Sequence, residues 1–240
     1  QLVSAVLPDG RTISYSYDAD GNRIAVVDSV AGTTNYTTNI GDAYTSVGSE
    51  TLVYDRSGKL VSETHGGLAT TYTYNALGQL ESVIAPGSVV TYQYDALGNR
   101  IGKTENGVHT DYAIDPAGSG TVFGEYSGAA TIANYAQGIG LVARTASGTS
   151  SFYQYDATGN ISQVSGVGGA VIAAYKYLPF GEIASQTGSA AQPFTFNGRY
   201  GVLGDTSNLF YMHARTYDAG LGRFTTRDPI GLSGGDTNLY

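Results

Sequence analysis

Apolar and polar residues alternate along most of the chain with period two, in short runs broken by glycine. Five stretches fall into register when aligned: YSYDADGNRI (15–24), LVYDRSGKLV (52–61), YTYNALGQLE (72–81), YQYDALGNRI (92–101) and YQYDATGNIS (153–162). Each reads Tyr or Leu, one residue, Tyr, Asp or Asn, two residues, Gly. The glycine recurs at Gly21, Gly58, Gly78, Gly98, Gly118, Gly138, Gly159 and Gly181, with Gly41 marking a degenerate copy, so the unit is about twenty residues long. A second turn signal falls midway, at Gly66-Gly67, Pro86-Gly87, Asn106-Gly107 and Gly168-Gly169. Such pairs supply positive φ or preset a turn. Two turns per unit mean two strands per unit, which predicts roughly sixteen to eighteen short strands between Gly10 and Gly181 with no room for a helix.

The predicted fold is therefore all-β: a continuous antiparallel hairpin meander. An open twisted sheet of this many strands does not stay flat, and curling into a ribbon-like shell is the expected outcome. Side chains two apart share a face, so Tyr15 and Tyr17, Tyr72 and Tyr74, Tyr92 and Tyr94, Tyr153 and Tyr155, and Tyr175 and Tyr177 each project together and stack into an aromatic ladder. Core packing is the simple role for that ladder, and carbohydrate stacking the competing one. The Asp or Asn after the tyrosines caps the turn that the glycine completes. DADGNR (18–23) superficially resembles a calcium loop, but its sixth position is Arg23 and no Glu closes it. No metal site and no cofactor are expected.

Composition supports this picture and removes alternatives. Glycine makes up 34 of 240 residues and charged residues only 13%, about double and about half the usual shares. A formal net charge of -8 without a Lys/Arg cluster offers nothing to nucleic acid or to anionic membrane. The lack of cysteine excludes disulfides and thiol chemistry. Apolar runs are too short for a membrane helix, so no membrane-spanning segment is expected. The three histidines, His65, His109 and His213, share no ligand spacing. The missing initial Met and the patterned last residues read as an excerpt of a longer chain.

The aligned copies resemble the YD repeat of RHS proteins, a family that includes bacterial polymorphic toxins, shell components of insecticidal Tc toxins, wall-associated proteins and animal teneurins. The last quarter, FNGRY (196–200) and LFYMHARTYDAGLGRFTTRDPIGLSGGDTNLY (209–240), is similar to the RHS-associated core segment of the bacterial members. The resemblance divides the chain into repeats (1–185) and the start of a core-associated plug (186–240). It implies a hollow β shell, secreted or at the bacterial cell surface, holding a C-terminal toxin. The implied partners are that toxin segment, the remaining shell repeats and secretion machinery. A lining of small and hydroxylated groups would suit such a container.

The resemblance also implies chemistry. In the family the core segment carries an intramolecular aspartyl protease that frees the toxin. Asp228, in RDPIG (227–231), matches its first catalytic aspartate, and Arg215, in HARTYD (213–218), matches the associated arginine. The second aspartate belongs to a further DPxGL motif that does not occur before Tyr240. A dyad needs two carboxylates sharing one proton, so cleavage by these 240 residues alone is not expected. Asp228 before Pro229 is also an ordinary turn starter, and Arg215 could pair with Asp218 or Asp228. Gly231, Gly234 and Gly235 read as tight turns, and His213 as a packed or solvated residue. Two rival functions stand beside toxin encapsulation: a surface fibre or adhesin built from the same repeats, and glycan turnover, for which no carboxylate pair is apparent.

Overall fold

The computed structural model describes all residues except Pro116, Gly118, Ser119, Thr206 and Ser207. Its described residues form a 19-stranded antiparallel sheet, each strand paired with its neighbours in the chain, and a 4-stranded sheet near the C-terminus. The large sheet begins with β1 (Ser4–Val6) and β2 (Thr12–Tyr17) and ends with β18 (Val171–Tyr177) and β19 (Ile183–Gly188). Seventeen strands, β2 to β18, lie between Gly10 and Gly181. This is the predicted meander.

The repeat builds one local device many times. In the first copy the Asp18 amide bonds to the Asn22 carbonyl at 2.9 Å, and Asp18 Oδ1 accepts the amides of Asp20 and Asn22 at 3.1 and 2.8 Å. Gly21 closes the turn at φ 85°, where a Cβ would be strained. Asp55, Asn75, Asp95 and Asp156 accept the same two amides in their own turns. The register slips just before the second aromatic position in each unit, as between Gln93 and Tyr94 and between Gln154 and Tyr155. That bulge bends the strand and adds twist. The second tyrosine then staples neighbouring hairpins: Tyr17, Tyr94 and Tyr177 donate to the carbonyls of Leu2, Leu80 and Ile161 at 2.7, 2.7 and 2.8 Å, and Tyr155 donates to Leu141.

Two glycine assignments need correction. In the degenerate copy Asn39 caps the turn, and Asp42 (φ 65°), not Gly41, occupies the closing position. In the copy at 135–141 the closing residue is Gly140 (φ 91°), while Gly138 is the last residue of the strand Ala130–Gly138. That turn is two residues shorter, with Gln137 paired to Leu141 where Tyr94 pairs to Arg100, which moves the glycine. Gly118 lies outside the described residues.

The ribbon curls until its ends meet. Phe180, in the turn between β18 and β19, packs edge-on against Tyr15 of β2, with ring centroids 5.3 Å apart. The Arg23 guanidinium lies 4.3 Å from the Phe180 centroid. Among the described residues no strand pairing joins β1 or β2 to β19, so the ring has a seam and is not a closed barrel.

The hollow is filled by the C-terminal segment. The first tyrosine of each unit, including Tyr72, Tyr92, Tyr135, Tyr153 and Tyr175, is buried with Leu60, Leu80, Leu141 and Ile161 on the inner face. Against them pack Phe194, Leu203, Leu209, Tyr211 and Leu221 of the plug. The plug carries a small sheet: β20 (Leu203–Gly204), β21 (Leu209–Met212), β22 (Arg215–Asp218) and β23 (Arg223–Phe224). Here the lining is aromatic and aliphatic, not small and hydroxylated, because it forms an interior core.

The two edges of the ribbon differ. At the repeat turns a Cβ on Gly58, Gly140, Gly159 or Gly181 would collide with Tyr240, Arg199, Tyr200 or Phe196 of the plug. At the midway turns Gly66, Gly87, Gly107 and Gly168 have open space around them. Both sets need positive φ, but only the first also needs the missing side chain.

Candidate functional site

The plug meets the ribbon through backbone groups beside the bulges of three repeats. The Leu60 amide donates to Thr225 O and the Ile161 amide to Thr195 O, both at 2.9 Å. The Arg100 amide donates to Tyr211 Oη at 3.1 Å, and that hydroxyl donates to Gly98 O at 3.0 Å. Most copies carry Leu or Ile at this position. Arg23, Tyr44, Arg100 and Val122 are the exceptions, and the two arginines address the plug. Arg23 donates to Leu221 O. Arg100 is 1% exposed, pairs with Asp205, and lies between the rings of Tyr92 (3.9 Å) and Tyr211 (4.3 Å). Burial alone would pull the guanidinium down, yet Asp205 and the tyrosines hold it above its ordinary value.

Asp228 and Arg215 come together at the rim of the plug. Arg215 Nη2 lies 2.8 Å from Asp228 Oδ2, with both side chains partly exposed. The guanidinium stacks 3.6 Å above the Phe224 ring. Burial lowers the Arg215 pKa, which Asp228 partly offsets. Asp228 also starts a turn: Oδ1 accepts the Ile230 amide at 3.0 Å, and its carbonyl accepts the Gly231 amide at 3.0 Å. The turn role and the arginine pair thus use different atoms of one residue. Asp218 is not the partner of Arg215; it points to the opposite face of β22, in a different part of the plug.

The chain end runs past this pair. The Leu239 carbonyl accepts the Asp228 amide at 2.8 Å and Arg215 Nη1 at 3.3 Å. Asn238 bonds to Asn22 in the first repeat turn, and Tyr240 Oη donates to Gly58 O at 2.9 Å. A carboxylate, a guanidinium and an anchored peptide carbonyl therefore share one rim. Gly231 and Gly235 both take positive φ there, as tight turns require.

Sequence reasoning missed the Arg100–Asp205 pair and the depth of Asp218. The only signal for the first was an arginine in a leucine register. His213 (φ 54°) is exposed, with its ring 5.5 Å from that of Tyr211, and desolvation lowers its pKa. No group of three or more carboxylates or histidines suited to a metal ion occurs among the described residues.

Comparison with known proteins agrees with this architecture. The tRNA3(Ser)-specific nuclease WapA of Bacillus spizizenii is 32% identical over 247 residues, covering 99% of this chain and 10% of that protein. Double-stranded DNA deaminase toxin A of Burkholderia cenocepacia is 37% identical over 93 residues, 37% of this chain and 6% of that protein. The chain thus spans about a tenth of the length of the WapA relative. Among solved structures, a Photorhabdus luminescens Tc holotoxin pore superposes with a TM-score of 0.57 at 16% identity, over 99% of this chain and 16% of that one. The TcdB2–TccC3 structure gives 0.54 at 15% identity, over 100% and 17%. A family model described as Teneurin YD-shell matches residues 1–232. With its in-register YD units, bulged hairpins and inward plug, the chain belongs to the teneurin YD-shell family and is an RHS/YD-repeat shell protein.

Proposed function

We propose that this chain is the plugged end of a toxin-bearing shell: residues 1–185 wall off a volume that further repeats enlarge, and residues 186–240 close it. In the full-length protein the shell encloses and delivers a C-terminal toxin outside the producing cell. The seating of the C-terminal segment inside the curled ribbon supports this reading, because Phe194, Leu203, Leu209, Tyr211 and Leu221 pack against the inner face of the repeats. The names of the WapA and deaminase relatives support a toxin as cargo.

The rim pair supplies half of an aspartyl site. Asp228 provides one carboxylate, and Arg215 orients it through the 2.8 Å ion pair. A second carboxylate from residues beyond this chain would share the proton. One carboxylate then takes a proton from water as the oxygen attacks a peptide carbonyl, and the other protonates the leaving nitrogen. The bond breaks into an acid and an amine.

The test is mass analysis of the full-length protein under denaturing conditions. The native sequence should give two fragments and Asp228→Asn one intact chain. Undiminished cutting of the Asp228→Asn protein would remove Asp228 from the reaction, and a shell reconstruction without enclosed volume would remove the container.

A further inference from the structure

A cavity of about 480 Å³ lies where the seam, the ribbon and the plug meet. The plug contributes Asp218, at the end of β22, which is 6% exposed. Asp218 Oδ1 accepts the Leu221 amide at 3.1 Å. The ribbon contributes Glu63 from the strand Leu60–His65, whose Oε2 accepts the Tyr72 hydroxyl at 2.9 Å. Glu182 enters from the seam turn and Glu50 from the strand Glu50–Tyr54.

The cations around this cavity are committed elsewhere. Arg11 is held by Asp28 at 2.5 Å, and Arg23 donates to Leu221 O beneath Phe180. Glu50 has His65 at 3.0 Å. Among the described residues no Lys or Arg forms an ion pair with Asp218, Glu63 or Glu182. The other ionisable groups near Asp218 are the hydroxyls of Tyr54, Tyr72, Tyr74 and Tyr217, all held far above their ordinary range by burial. Two carboxylates from separate elements, Asp218 and Glu63, thus face a shared space without an ion pair, the His65 ring acting on Glu63 only as a minor attraction.

We propose that Asp218, Glu63 and the cavity between them form a proton-dependent latch: the plug docks by taking up a proton at this site, and it loosens as that proton leaves. Burial, with Glu63 as a further contribution, lifts Asp218 from 3.8 to about 7. Burial also raises Glu63 and Glu182. Undocked, Asp218 would release its proton near pH 4; docked, it keeps the proton to about pH 7. Between those values docking binds a proton, so each rise in pH favours the undocked plug, and above the upper value no further loss follows. His213 works in the opposite direction, since desolvation lowers its pKa, but it faces Tyr211 at the rim and not this cavity.

The latch does not depend on whether Asp228 cuts the chain. Hydrogen exchange of the full-length protein between pH 5 and 8, corrected for intrinsic rates, reads the opening of residues 216–223. Opening should increase with pH by up to about tenfold per unit until near pH 7. Asp218→Asn should flatten that slope while leaving any cut at the rim in place, and Glu63→Gln should move it to lower pH. His213→Asn should leave it standing. An unchanged slope in Asp218→Asn, or opening independent of pH in the native protein, would overturn the latch. If Asp218→Asn does not fold, the Glu63→Gln shift decides. Loss of the pH dependence on adding millimolar calcium alone would also overturn it, by making the cavity a cation site.

Discussion

Arg100 and Asp205 form an ion pair with side chains 1% and 2% exposed, tying the fifth repeat turn to a plug loop 105 residues later. A pair so far from water is worth little net of desolvation, but its halves cannot be left alone. Removing one partner, as in Asp205→Ala, should cost about 3–5 kcal/mol. The double change Arg100→Leu with Asp205→Ala restores the leucine found at Leu60 and Leu80, and should recover most of that loss. Denaturant titration of the two variants checks this; equal damage in both would contradict the penalty expected for a lone buried guanidinium.

The glycines at the two ribbon edges predict an asymmetry. Gly181→Ala meets the Phe196 ring at 2.8 Å, whereas Gly168→Ala meets nothing, and both start from positive φ, 102° and 91°. Each should lose about 1 kcal/mol or somewhat more to backbone strain. Gly181→Ala should lose more, and should also loosen the Phe196 region in hydrogen exchange. Comparable losses without local loosening would mean that the plug does not read the rim.

Much of this was legible in the sequence, and the reason is local. Asp95 and Gly98 sit three residues apart and their turn needs nothing from elsewhere, so the hairpins could be inferred directly. Gly41 and Gly138 misled because a shortened or displaced turn keeps the glycine while moving the strained φ to Asp42 and Gly140. Residues whose meaning depends on a distant partner were opaque. Arg100 looks like a solvated end of GNR until Asp205 arrives, and Asp218 looks like one more turn aspartate until the ribbon closes over it.

The tyrosine staples should act singly and weakly. Tyr94→Phe removes a hydroxyl donating at 2.7 Å to Leu80 O and should cost about 0.5–1.5 kcal/mol. Leu60→Ala, at 0% exposure between ribbon and plug, should cost about 2–5 kcal/mol. Thermal or chemical unfolding ranks the two, and a reversed order would contradict the burial pattern.

The Arg11–Asp28 pair sets a pH response below the latch. Asp28 is held at about 2 by the Arg11 guanidinium, from an ordinary 3.8. A carboxylate lowered on folding stabilises above its unfolded pKa, and that contribution fades as pH falls through the folded value. The difference in stability between the native protein and Asp28→Asn should therefore be full at pH 6 and shrink between pH 4 and 2. A constant difference would place the effect in packing instead of charge.

Because rings and a guanidinium close the seam, the circumference is not quantised. A hydrogen-bonded barrel fixes strand number and shear together, so adding a hairpin disturbs every register. Here Phe180 meets Tyr15 and Arg23 through ring contacts, and Tyr217 Oη donates to its carbonyl at 3.0 Å, so no ladder crosses the joint. Gene duplication could lengthen or trim such a wall by whole hairpins, with the seam and the plug's contacts along the rim to be refitted and no closed set of strand registers to preserve.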